Sequence, residues 1–199
     1  MKYEKKQNME YYLRLPGNYQ YEIIGREKHQ SLGTATLLYT INEGNISDGD
    51  GLSAEYNDKF VKINSEDYNH VNSIFKCCVN EIFKLGEQNG LPIDREIKVN
   101  DYLFYQGTFM CIESMSSSKD LLTFKTFFYD NYELDTDQES YDWDEYFGYV
   151  ALEDLRKDGL LINSGIYNLA LSKANAAIAE VQYYLYNLYM SKKEKNGNA

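Results

Sequence analysis

EIKVNDYLFYQGTFMCIES, running from Glu96 to Ser114, is the stretch on which the fold turns. Apolar and polar residues alternate on both sides of Gln106-Gly107, where the chain is expected to turn. Two antiparallel strands are the expectation. Toward the C-terminus, the SMSSSK turn leads to another alternating segment, DLLTFKTFFYD. VALEDLRKDG then reads as a short helix stopped by Gly159, and a long helix is expected from about Ser164 to Met190. On that helix Ile166, Ala170, Ala174, Ala177, Ile178, Val181, Tyr184, Leu185 and Leu188 share one side. Ser172, Lys173, Asn175, Glu180, Gln182 and Asn187 share the other, together with Tyr183 and Tyr186. Spaced three apart, Tyr183 and Tyr186 are neighbours on that polar side and suit an interface.

Toward the N-terminus, the period changes from two to 3.6. Ser65 reads as an N-cap, with Glu66 and Asp67 in the favourable first turn. Tyr68, Val71, Ile74, Phe75, Cys78, Ile82 and Leu85 fall on one side of a helix ending near Gly86, with His70 on its polar side and Cys77 at its flank. Before it, EYYLRL and YQYEIIG form a hairpin, with Pro16-Gly17 suited to the centre of a type II turn. GTATLLYTI (Gly33 to Ile41) and DKFVKI (Asp58 to Ile63) are further strands, separated by the irregular NEGNISDGDG. The order strands, helix, strands, helix predicts an α+β fold: mainly an antiparallel sheet of about six to seven strands, one central amphipathic helix and a long C-terminal helix. At 199 residues a single domain, 1–199, is expected, able to bury roughly 70% of its unfolded surface without disulfides or metal. Residues 191–199 read as a polar tail.

The net charge of −11 is unevenly spread. YDNYELDTDQESYDWDEYFGY, Tyr129 to Tyr149, holds eight of the 31 acidic residues and none of the 20 basic ones; outside it, 23 acidic groups face 20 basic ones. Without a clustered basic face, direct nucleic-acid binding is not expected. The three cysteines, Cys77, Cys78 and Cys111, show no disulfide framework and read as reduced thiols of a cytosolic protein. MKYEKKQNMEYY lacks the apolar region of a secretory signal, and no run approaches a membrane span. A soluble protein of the cytoplasm, or of a virion assembled there, is expected. Abundant Tyr, Asn and Lys with few Arg fit a low-GC coding bias, as in many bacterial and phage genomes.

Several motifs meet part of a chemical requirement. SDGDG (Ser47 to Gly51) invites a calcium loop, but aligning Asp50-Gly51 with the EF-hand turn puts Ile46 and Asn57 at its outer ligand positions. GDGLSA (Gly49 to Ala54) matches a dinucleotide fingerprint without the preceding strand and following helix that bring N–H groups to a phosphate. His29-Gln30-Ser31 and His70-Val71-Asn72 approach the paired motifs of two-histidine phosphoesterases, but the second lacks its hydroxyl and sits on a helix. Glu96-Ile97-Lys98 fits half of a metal-dependent nuclease site, where carboxylates hold the metal and Lys positions the nucleophile. Cys111, in an alternating strand, reads as a buried structural thiol. No cofactor, metal or catalytic residue is assigned.

The acidic run has no spacing that sets a coordination number, yet its seven aromatics distinguish it from a solvated acidic loop, which gains nothing from aromatic residues. It is expected to dock, on its own domain or on another molecule, as an acidic-aromatic segment spanning 130–149. The partner-binding residues expected are Tyr132, Asp135, Asp137, Tyr141, Asp142, Trp143, Asp144 and Tyr146, with Tyr183 and Tyr186. Carboxylates would steer a protein partner with a basic or mixed surface, and aromatics would supply affinity. The expected function is a non-enzymatic interaction or structural component of a larger assembly such as a phage particle, with homo-oligomerisation compatible. The alternatives are an antagonist that masks a basic nucleic-acid-binding protein, and a metal-dependent nuclease or phosphodiesterase using Glu96 and Lys98.

Overall fold

The computed structural model describes residues 9–17, 20–27, 36–42, 45–48, 60–118, 120–126, 129–130, 141–142 and 146–197. The chain divides into two compact units, residues 1–75 with 178–199, and residues 76–177. The architecture is α+β, as the change of period predicts, with the strands distributed between two antiparallel sheets rather than collected in one.

In the first unit, β1 (Met9–Gly17), β2 (Gln20–Glu27), β3 (Thr36–Asn42), β4 (Asn45–Asp48) and β5 (Val61–Ile63) form a sheet in the order β4-β3-β2-β1-β5. Leu13 pairs with Ile23 and Val61, Tyr11 with Ile63, Ile23 with Tyr39 and Tyr21 with Ile41. Paired residues share a face, so this register gathers one apolar side. Helix α1 (Ser65–Asn89) covers it with its first turns. The Tyr68 ring stacks on Tyr11 at 4.4 Å, Phe75 meets Tyr39 at 5.9 Å, and the Tyr39 hydroxyl donates to Asn72 Oδ1 at 2.7 Å.

Four expectations shift here. Pro16 and Gly17 belong to β1: Gly17 pairs with Gln20, and the register slips between Arg14 and Gly17. Part of the expected irregular stretch is β4, which pairs with β3. The cap of α1 is Asn64, not Ser65. The Asn64 N–H donates to Asp67 Oδ2 at 2.8 Å while the Asn64 carbonyl accepts from the Tyr68 N–H. The Asp67 bond is the returning half of a capping box, made with a shorter acid. At its other end α1 continues past Gly86 to Asn89.

The second unit holds β6 (Leu91–Pro92), β7 (Tyr102–Tyr105), β8 (Thr108–Met115), β9 (Leu121–Thr126), the short β10 (Tyr129–Asp130) and β11 (Tyr141–Asp142), β12 (Tyr146–Ala151), α2 (Leu152–Asp158) and β13 (Leu160–Ile162). Its sheet runs β12-β9-β8-β7-β13-β6. The expected turn is present: Gln106 and Gly107 have φ of 46° and 79°, which suits a two-residue hairpin loop. Leu103, Met110, Ile112, Leu122, Phe124 and Val150 line one face, joined by Leu155 of α2 and by Ile97. On the other face Phe104 and Phe109 meet Phe83 of α1 and Tyr167 of α3 (Ser164–Gly197). A Cβ at Gly86 would lie 2.4 Å from the Phe104 ring, so only glycine admits this approach of helix to sheet.

Helix α3 begins at the expected place, where Asn163 Oδ1 accepts the Ile166 N–H at 3.0 Å. It runs on through Gly197, so most of the expected polar tail is helical. Ala170, Ala174, Ala177, Ile178, Val181 and Leu185 are buried, on the side the periodicity predicts.

Candidate functional site

The acidic run enters and leaves through paired backbone. β12 is an edge strand of the six-stranded sheet and pairs only with β9 among the described strands, Tyr146 opposite Thr126 and Ala151 opposite Leu121. β10 and β11 pair Tyr129 with Asp142 and Asp130 with Tyr141. From the first pairing to the second, the chain advances three residues on one side and four on the other. The two pairings thus bring the two ends of the acidic run side by side in antiparallel backbone. Tyr141, Asp142 and Tyr146 lie in β11 and β12. Tyr132, Asp135, Asp137, Trp143 and Asp144 lie outside the described residues.

Tyr183 and Tyr186 lie together on α3, 73% and 46% exposed, with Met190 at 38% one turn further on. The neighbouring Tyr184 faces the opposite way. Its hydroxyl donates to Asp67 Oδ1 at 2.7 Å, and its ring meets His70 edge-on at 4.6 Å. Burial and the Asp67 carboxylate push the Tyr184 hydroxyl up to about 12. Asp67 thus caps α1 with one oxygen and anchors α3 with the other.

Of the partial motifs, Glu96 to Lys98 and His70 fall within the described residues. Glu96 and Lys98, expected on a strand face, lie exposed in the loop before β7. The cause is Asp101. Its carboxylate takes a two-point contact from Arg95 at 2.7 and 2.8 Å and the Lys98 N–H at 2.7 Å. Asn100, at φ 69°, donates its N–H to the Ile112 carbonyl at 2.7 Å. A residue in the left-handed region with a local carboxylate anchor breaks the alternation that Ile97 and Val99 imitate. Arg95 holds the Asp101 carboxyl below its usual range. His70 lies on α1, and His29 and Gly49 to Gly51 lie outside the described residues. Among the described residues no three His, Cys, Asp or Glu side chains are grouped to hold a metal, and no helix is long and apolar enough to cross a membrane.

Burial disfavours the thiolate at two of the three cysteines. Burial pushes Cys78 up to about 12, and its Sγ sits 3.5 Å from the Lys173 carbonyl oxygen. Cys111 is half-buried and also raised, by burial first and then by Glu113. Cys77 is exposed on α1.

One constellation was missed. The second face of the five-stranded sheet carries Glu10, Tyr12 and Arg14 opposite Arg26, Ile24 and Glu22. Arg26 and Lys62 both bind Glu10, and Arg14 binds Glu22. The Arg14 guanidinium lies 5.2 Å from the Phe60 ring centre and that of Arg26 5.5 Å from the ring centre of Tyr12. The contacts of Lys62 and Arg26 hold the Glu10 carboxyl down at about 2. Every carboxylate in this set has a cation in contact, which is the pattern of a structural face. The signal was present in the opposite charges four residues apart on each strand, Glu10 with Arg14 and Glu22 with Arg26, but reading it needs the register. Comparison with protein-family models, curated proteins and solved structures returns no match for this chain.

Proposed function

We propose that this chain is a non-enzymatic interaction protein, a component of a larger assembly that presents the acidic-aromatic segment to a protein partner with a basic or mixed surface. The observation that carries this reading is the backbone pairing at both ends of the acidic run. The ends of a run with eight carboxylates and seven aromatics are tied together by the β9–β12 and β10–β11 pairings. Fixed ends lower the entropy cost of holding any segment against a partner. Carboxylates of one sign accelerate encounter with a basic surface, and Trp143 with the nearby tyrosines supplies buried contact area. Residence in the cytoplasm, or in a virion assembled there, belongs to the same reading.

The test is affinity capture from the native host with the wild-type chain and with a chain in which Asp135, Asp137, Asp142 and Asp144 are replaced by Asn. Association of the recovered partner is then timed at low and high salt. The variant should associate roughly 10-fold more slowly at low salt and lose most of its salt dependence. Equal association rates for the two chains would rule the acidic segment out as the docking surface.

A further inference from the structure

Within residues 178–197, helix α3 satisfies the first unit with one side. Ile178, Val181 and Leu185 are buried, and Tyr184 is bonded to Asp67. Yet the outward side of the same stretch carries Ala179, Tyr183, Tyr186 and Met190, all exposed. Their spacing of four, three and four residues follows the alternation of a heptad seam between two helices. Single exposed apolar residues are ordinary on a surface; a row of them at seam spacing is not.

We infer that this outward side of α3 packs antiparallel against the same side of a second copy of the chain. Charge selects the occupant. Between Ala179 and Ser191 the only carboxylate or ammonium group is that of Glu180, in a chain of net charge −11. A basic partner would find almost nothing to read there, whereas a second acidic copy can approach without like charges meeting. Shape selects the direction. With the two-fold axis between Tyr183 and Tyr186, each Tyr183 faces Tyr186 of the second copy, and each Ala179 faces its Met190. A small residue then meets a long, adaptable one at both ends of the seam. Gln182 and Asn187 flank it with uncharged amides. The two Glu180 side chains lie about 13 Å apart along the axis, beyond the Debye length of about 8 Å at physiological salt. A parallel pair would instead set Ala179 on Ala179 and Tyr183 on Tyr183, leaving a gap beside a crowded layer.

This surface is distinct from the acidic segment, and the two are tested separately. Sedimentation velocity of the full chain over a micromolar concentration series should show a monomer–dimer equilibrium. Replacing Tyr183 and Tyr186 together by Gln, a good helix former, should weaken it at least ~10-fold, with far-UV circular dichroism and melting unchanged. The four Asp→Asn replacements in the acidic segment should leave it intact. In a Cys77→Ser background, mild oxidation should link chains carrying both Ala179→Cys and Met190→Cys into covalent dimers. Chains carrying Ala179→Cys alone should stay unlinked. A chain monomeric at every concentration, a dimer indifferent to the tyrosine pair, or efficient linking through Ala179→Cys alone would each overturn the inference. The cysteine pair retains both tyrosines, so it decides the question even if the Gln variant misfolds.

Discussion

The five-stranded sheet has one apolar face against α1 and a second face on which Glu10, Arg14, Glu22, Arg26 and Lys62 are held in ion pairs. The six-stranded sheet buries apolar side chains on both faces, Leu103, Ile112 and Leu122 on one and Phe104 and Phe109 on the other. Burial of apolar area is insensitive to which neighbour supplies it, so the second sheet gains stability from packing. Ion pairs gain little net stability once desolvation is counted, but they depend on one register. A slip of one residue in β1 against β2 would part Glu10 from Arg26 and Arg14 from Glu22 together. The charged face is therefore expected to specify the first sheet, and the apolar faces to stabilise the second.

Four substitutions can break or sharpen that contrast. Phe109→Ala should have the largest effect, about 3–5 kcal/mol, since its fully buried ring touches Phe104 and Tyr167; urea unfolding followed by circular dichroism measures it. A loss under about 1 kcal/mol would mean that the second sheet does not rest on packing.

Glu10→Leu should cost roughly 3 kcal/mol by leaving the largely buried Arg26 guanidinium without its main counter-charge. Adding Arg26→Leu should recover most of that loss, because two apolar side chains replace two desolvated ions. If the double variant is as unstable as the single one, the pair supplies stability and not only register. The same carboxyl predicts a pH effect. Its pKa in the folded chain is held at about 2, below the usual 4.5. The unfolded chain therefore binds the proton first, and the stabilisation is present above pH 4.5 and lost as pH falls toward 2. Hydrogen exchange in β1 and β2 should accelerate over that window in the wild type and much less in Glu10→Gln.

Asp67→Ala should cost about 1–2 kcal/mol, since one carboxylate both caps α1 and accepts the Tyr184 hydroxyl. Restoring the side-chain acceptor with Asn should return part of it in the same urea titration. The smallest change is expected from Gly107→Ala, about 1–2 kcal/mol at most. At φ 79° a Cβ would sit 2.8 Å from the Phe83 ring, which can yield by rotating. An unchanged midpoint would show that the hairpin turn tolerates a side chain and that packing alone holds β7 to β8.

Helices were the most legible part of the sequence. Val71, Phe75, Cys78 and Ile82 on α1, and Ala170, Ala174, Val181 and Leu185 on α3, are buried as their spacing predicts. A 3.6-residue period is a local property, and one covered side is enough to display it. Strand ends were less legible. Glu96 to Asn100 alternates like a strand, yet Asp101 and a left-handed Asn100 turn it into a loop. The hairpin of β1 and β2 was foreseen with its reversal at Pro16-Gly17. That placement sets Arg14 opposite Tyr19 rather than Glu22, an odd displacement that hides the ion pairs between β1 and β2. The exposed pair Tyr183 and Tyr186 was found from spacing alone, because helical geometry fixes which side they share.

What the sequence determined by itself was the class of most segments, the apolar sides of its helices, the Gln106-Gly107 turn and the concentration of charge between Tyr129 and Tyr149. All of these follow from neighbours within one or two turns of chain. Tertiary structure alone decided the partition of strands into two sheets, the register that joins Glu10 to Arg26 and Lys62, and the closing of the acidic run between β10 and β11. Those depend on which distant segments pair, and period and propensity are the same for every partner a strand could choose.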